Sequence, residues 1–118
     1  MKQALIVDPH GTVEDFASSA LTLYELYTVG SLQEAIAMAS GAEYDLFLIA
    51  RHDGLCDGAL WTMVERIARL ASEDALIMVR TEDADEAFHA RAADLGVTVL
   101  TAPLDVAARA LIDEVTAS

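Results

Sequence analysis

Short apolar runs alternate with amphipathic stretches along the whole chain, and this alternation predicts strands that are each followed by a helix. The runs are rich in Val, Ile and Leu, as buried strands are. The predicted strands are Ala4–Val7, Tyr24–Val29, Leu46–Ala50, Leu76–Val79 and Val97–Thr101. Because strands alternate with helices, the pattern predicts an α/β fold with a doubly wound, five-stranded parallel sheet.

The stretches between the strands carry helix start and stop signals. Ser31 and Glu34 have the spacing of a capping box, and Gly41 and Gly96 stand where helices should stop. The predicted helices run from Thr12, as N-cap, to Leu23; from Ser31 to Gly41; from Ala59 to Ala71; from the acidic residues 81–86 to Leu95; and from Asp105, as N-cap, to Val115.

The third predicted strand, Leu46–Ala50, is apolar throughout, so it should lie in the middle of the sheet with both faces covered. A polar loop, residues 52–58, follows it. In a parallel sheet the carboxyl ends of the strands meet at one edge, where ligands bind. We therefore expect any functional site among residues 8–11, 50–58, 80–81 and 101–103.

Length and composition predict one soluble domain covering residues 1–118. Hydrophobic residues make up 54% of the chain, yet no apolar run approaches the ~20 residues of a membrane span, and no secretory signal is predicted. The lone Cys56 agrees with a reducing compartment, so we expect a cytoplasmic location. A net charge of −13 argues against direct contact with nucleic acid or with a membrane surface.

Five short motifs occur in a characteristic order: LIVD at 5–8, DLFLI at 45–49, DG at 57–58, LG at 95–96, and Pro103 after the fifth strand. In this order and spacing the chain resembles, over nearly its whole length, the receiver domain of bacterial response regulators. The resemblance implies a flavodoxin-like fold with strand order 2-1-3-4-5. It also implies a role in two-component-type signal transduction.

Active receivers use two acids after the first strand, a phospho-accepting Asp ending the third, a hydroxyl residue after the fourth and a Lys before the Pro. The matching positions here are Asp8, Pro9, Ala50, Thr81 or Arg80, and Ala102. Counting from Gly96 selects Thr81, which we prefer, whereas counting from Pro103 selects Arg80. The resemblance thus implies a degenerate receiver that has no catalytic residue and has lost Mg²⁺ binding.

Two other functions stay open. A displaced acid, Asp53 or Asp57, could accept phosphate in place of Ala50. Alternatively, the emptied corner could serve as a pocket of a small-ligand sensor, although the segment DPHGTVED offers one Gly where nucleotide-binding loops use several.

The first hypothesis is phosphorylation-independent protein–protein interaction, with a partner or as a dimer, through the face formed by the fourth helix, fifth strand and fifth helix. Small residues on this face would allow close approach. The expected face comprises Ala87, Ala90, Arg91, Ala93, Asp94, Thr98, Ala107, Ala108 and Leu111. The only tryptophan, Trp61, is expected to be in the core or half-buried rather than on an interface.

Several side chains with metal-binding or ionic chemistry fall near the same rim: His10, His52, Asp8, Asp53, Asp57 and Cys56. No pair has a compact ligand spacing, so no metal site is predicted. Arg51 and Arg80 are expected to form salt bridges there, with Asp8 or Asp53. His89 is expected to be partly exposed on the fourth helix.

Overall fold

The computed structural model describes residues 2–52 and 54–117 and contains one five-stranded parallel sheet in the order β2-β1-β3-β4-β5. The predicted fold class and strand order are therefore confirmed. The strands are β1 (Lys2–Val7), β2 (Tyr24–Val29), β3 (Leu46–Ala50), β4 (Leu76–Arg80) and β5 (Thr98–Leu100).

A helix follows each strand, so the connections are the crossovers that parallel pairing requires. The helices are α1 (Glu14–Ala20), α2 (Leu32–Gly41), α3 (Asp57–Leu70), α4 (Glu86–Leu95) and α5 (Leu104–Ala117). None of the helices in the described part of the chain is long and apolar enough to cross a membrane.

The sheet separates two hydrophobic clusters because successive side chains of a strand point to opposite faces. On one face, α2, α3 and α4 cover β-strand residues such as Phe47 and Val79. On the other, α1 and α5 cover Leu48 and Met78. All five residues of β3 are buried, which agrees with the central position predicted for this strand.

The first helix is shorter than predicted. Thr12 is not its N-cap, because the carboxylate of Asp8 accepts hydrogen bonds from the backbone around residues 12–14 and the helix begins only at Glu14. Val13 occupies the N-cap position. The helix ends at Ala20 rather than Leu23, and Leu23 is exposed.

The starts of the last three helices also differ from prediction. α3 begins at Asp57, two residues before Ala59. α4 does not include the acidic stretch from residue 81: the Asp85 carboxylate accepts a hydrogen bond from the Phe88 N–H, so the helix begins at Glu86. α5 begins at Leu104, which places Asp105 in its first turn instead of at its N-cap. The capping box of Ser31 and Glu34 is confirmed in part. The Ser31 hydroxyl accepts a hydrogen bond from the Glu34 N–H at 3.2 Å, but the Glu34 carboxylate accepts from the N–H of Gly30, at 2.9 Å, instead of from that of Ser31.

Gly96 ends α4 in the left-handed conformation, with φ of 70°. A Cβ atom would meet nothing within 4 Å there, so backbone strain alone opposes replacement. Gly96→Ala is expected to lower the free energy of unfolding by about 1 kcal/mol. The matched control is Gly58→Ala inside α3, which is equally open and should raise stability by up to about 1 kcal/mol. Urea unfolding of both variants measures the difference, and equal midpoints would contradict it.

Candidate functional site

Four residues form a row across the carboxyl edge of the sheet, one from each of four adjacent strand ends. Ala50 pairs in register with Arg80, and Arg80 with Leu100. Asp8 follows Val7, whose partner is Ile49, so Asp8 lies level with Ala50. Alternation along the strands places this row on the side of the sheet that α1 and α5 cover. The small methyl group of Ala50 therefore lies between an acidic and a basic residue.

The carboxylate of Asp8 is engaged by the start of α1. Its Oδ1 accepts hydrogen bonds from the N–H and hydroxyl of Thr12, at 2.9 and 3.4 Å. Its Oδ2 accepts from the N–H groups of Val13 and Glu14, each at 3.0 Å. Asp8 is 7% exposed. Four donors thus use the lone pairs of the two oxygens, and Asp8 fixes the β1–α1 connection and satisfies backbone groups that the helix leaves unpaired.

A cleft of about 710 Å³ opens beside this row, between the β3–α3 and β4–α4 connections. Among the described residues, its walls include Ala50, Arg80 and Thr81, and also His10, Thr12 and His52. The β3–α3 side adds Arg51, Leu55, Cys56 and Asp57, and the other side adds Glu82 and Asp83.

Arg51 joins the two sides of the cleft. Its Nη2 lies 2.8 Å from Asp57 Oδ1, and its Nη1 donates to the backbone carbonyl of Asp83 at 2.8 Å. The guanidinium carbon also lies 4.4 Å from the centre of the Phe88 ring, a cation–π distance. The β4–α4 connection is therefore held to the start of α3 by one cation. Arg51 does not pair with Asp8, and Asp53 lies outside the described residues.

Arg80 is 6% exposed, and among the described residues it forms no salt bridge. Its Nε and Nη1 atoms are buried and have no hydrogen-bond partner in this part of the chain. Of the two predicted partners of Arg80, Asp8 is wrong, because its oxygens are turned to α1. The other, Asp53, lies outside the described residues. A guanidinium stays protonated at all ordinary pH values, so a buried, unpaired one is energetically costly.

The cleft brings together only part of the predicted degenerate pocket. Ala50 and Thr81 line it, whereas Asp8, Pro9 and Ala102 do not belong to its described walls. The Thr81 hydroxyl donates to the carbonyl of Asp83 at 2.8 Å and accepts from Arg51 at 3.4 Å. From the sequence, Arg80 is one of two candidates for the hydroxyl position, but its burial is not predicted. Its place at the end of the apolar run LIMVR could have indicated this burial.

The histidines at the rim contact each other without forming a metal centre. The rings of His10 and His52 are 5.6 Å apart, edge to face. Within residues 2–52 and 54–117, no three His, Cys, Asp or Glu side chains are placed to hold a metal ion. Cys56 is exposed. His89 is exposed as well, so the prediction of a partly exposed helix position was close.

The predicted interaction face is only partly accessible. Ala87, Ala90, Arg91, Ala93 and Asp94 are exposed on α4, and Thr98 and Ala108 are half-buried. Ala107 and Leu111 are fully buried under the sheet, so they cannot belong to a surface.

Trp61 is buried and packs on Phe88 with ring centres 4.7 Å apart, as its predicted core role requires.

The fold matches solved structures, several of which are response regulators or their receiver domains. A two-component response regulator from Clostridium difficile superposes with a TM-score of 0.80 at 22% identity, over 99% of this chain and 94% of the other. The chemotaxis protein CheY4 of Vibrio cholerae gives 0.78 at 20% identity, over 99% and 98%. A putative CpaE2 pilus assembly protein from Sinorhizobium meliloti gives 0.72 at 16% identity, over 92% and 96%.

No protein-family model and no curated protein matches the chain. At these identities the structural likeness establishes the fold, which is that of response-regulator receiver domains. The class of protein defined here is thus a receiver-fold domain of the flavodoxin-like type.

The structural role of Asp8 predicts a stability loss that its charge alone would not cause. Asp8→Asn replaces one acceptor oxygen with an amide donor and is expected to lower the free energy of unfolding by about 2 kcal/mol. Asp15→Asn removes the same charge from an exposed position in the first turn of α1 and should cost less than about 0.5 kcal/mol. Thermal and urea unfolding compare the two; similar losses would contradict the capping role.

Proposed function

We propose that the chain is a degenerate receiver domain, a cytoplasmic and non-enzymatic module of two-component-type signalling that acts without aspartyl phosphorylation. The observation that carries this proposal is Ala50 at the end of β3, in register with Arg80 and level with Asp8. A methyl group cannot attack a phosphoryl donor. The proposal rests on the match of this strand end to the phosphoacceptor position of the resembled family.

The surroundings of Ala50 support the same conclusion. Mg²⁺ prefers several oxygen ligands in octahedral order, but the Asp8 oxygens already accept four hydrogen bonds and Pro9 has no side-chain oxygen. Ala102 offers no cation for a phosphoryl group. We therefore propose that Mg²⁺ binding has been lost at this edge of the sheet.

The displaced acceptor Asp57 is less well supported. Its carboxylate lies 2.8 Å from Arg51 and belongs to the first turn of α3. An ion-paired carboxylate is a weaker nucleophile because the partner cation stabilises its charge. The other candidate, Asp53, lies outside the described residues.

Arg51 supports a mode of action that needs no phosphoryl group. Its hydrogen bond to the Asp83 carbonyl and its contact with Phe88 hold the β4–α4 connection and the start of α4. α4 carries most of the proposed interaction face. In this proposal the face is presented constantly, and its partner, not a phosphodonor, controls the signal.

The exposed pair Arg91 and Asp94 also suits self-association. Arg91 lies 3.5 Å from the Glu65 carboxylate of its own copy at the surface. In a two-fold dimer this contact can be exchanged for one with Asp94 of the second copy, and the symmetry then forms the same pair twice. The small side chains of Ala87 and Ala90 allow the two helices to approach. We propose this α4–β5–α5 face as the contact surface, with no direct contact to nucleic acid or membrane.

Incubation with acetyl phosphate and Mg²⁺ is expected to leave the chain unmodified, because the acceptor oxygen and the ion site are both missing. Intact mass spectrometry measures the adduct, with a conventional receiver domain in a parallel reaction as the positive control. A stoichiometric phosphoryl adduct on the wild type would overturn the proposal. Asp57→Asn and Asp53→Asn would then locate the acceptor.

A bulky cation in the proposed face is expected to prevent self-association. Ala90→Arg places a long charged side chain on exposed α4, whereas the control Ala37→Arg makes the same change on exposed α2. Sedimentation velocity over a concentration series should show association for the wild type and Ala37→Arg, and a monomer for Ala90→Arg. Equal behaviour of the two variants would exclude this face. A wild type that stays monomeric would exclude self-association.

A further inference from the structure

We infer that the cleft is a non-covalent binding site for a small oxyanion, a phosphate or carboxylate group, with Arg80 as its principal ligand. This inference does not depend on the proposed signalling role. It starts from the unpaired Arg80 guanidinium, whose Nε and Nη1 are buried without a partner among the described residues. A buried donor without a partner is energetically unfavourable, so a ligand that supplies an acceptor is favoured there.

The residue is placed where a ligand could reach it. Arg80 lines the main cleft, and it also lines a smaller hollow with Glu82, Thr101 and Pro103. Its partner in register, Ala50, lines the same cleft and has only a methyl group, so no longer side chain from that position pairs with the guanidinium. The planar fork of an arginine matches the two oxygens of a carboxylate or phosphate.

The other charges around the cleft leave Arg80 as the free cation among its described walls. Arg51 already pairs with Asp57 and donates a hydrogen bond to the Asp83 carbonyl. The Asp8 carboxylate accepts hydrogen bonds from the backbone at the start of α1. The amino end of α3, at Cys56 and Asp57, also opens on the cleft and adds partial positive charge. Glu82 and Asp83 at the rim oppose an anion, which favours a small group over a highly charged one.

The test uses inorganic phosphate and, in a second arm, acetate, each against chloride at matched ionic strength. The Arg80 Nε–Hε signal in ¹⁵N NMR spectra is expected to shift saturably with the ligand. A tenfold excess over Kd should raise the melting temperature by roughly 5 °C. The arm with the lower Kd identifies the preferred class of oxyanion.

Two variants separate binding at Arg80 from general ion effects. Arg80→Gln should abolish the response, whereas Arg66→Gln, which removes the same charge from an exposed position on α3, should keep it. Far-UV circular dichroism and ¹⁵N spectra check that Arg80→Gln folds.

Ala50→Asp keeps the inference testable if Arg80→Gln does not fold. It places a carboxylate in register with Arg80, so it should raise the melting temperature without ligand and remove the response to phosphate. Phosphate is not a phosphodonor, so this outcome is independent of whether the chain can be phosphorylated. A wild type with no saturable response, or an equal response in Arg80→Gln or Ala50→Asp, would overturn the inference.

Discussion

Burial of β3 on both faces is the constraint on which the rest of the structure depends. Each of its five residues is buried, and the strand pairs with β1 on one side and β4 on the other. Burial of each large side chain contributes about 1.5–3 kcal/mol, so the strand is retained for folding whatever its last residue does. Because Ala50 is uncharged, the strand can end there without burying a charge. The residues at the ends of the neighbouring strands then determine the chemistry of this edge of the sheet.

Asp8 and Arg80 adapt to this edge in opposite ways. Asp8 turns its oxygens to the backbone of α1 and becomes part of the local architecture. The Arg80 side chain is as deeply buried, but its Nε and Nη1 atoms have no partner among the described residues. Neighbouring strands lie about 4.8 Å apart, so two strand spacings separate these residues. The two charged groups therefore lie on the same edge without forming an ion pair. The carboxylate of Asp8 has hydrogen-bond donors for both of its oxygens, whereas the guanidinium of Arg80 lacks acceptors for its Nε and Nη1.

The periodicity of the sequence predicted the sheet because long-range burial and local pattern agree in all five strands. Helix starts were less predictable. At α1 a side chain six residues before Glu14 competes for the backbone donors, and no local pattern reports such a contact. The cleft was predicted as an emptied corner, but the clamp by Arg51 and the isolation of Arg80 depend on side-chain directions that spacing does not contain.

The tilted packing of Trp61 against Phe88 has an optical consequence. Trp61 is the only tryptophan of the chain, and the ring on which it packs also contacts the guanidinium of Arg51. Its emission therefore originates from one place, which three successive contacts, through Phe88 and Arg51, connect to the Asp57 carboxylate. The native chain thus carries an intrinsic fluorophore whose surroundings connect the buried side of α3 to two residues that line the cleft, Arg51 and Asp57.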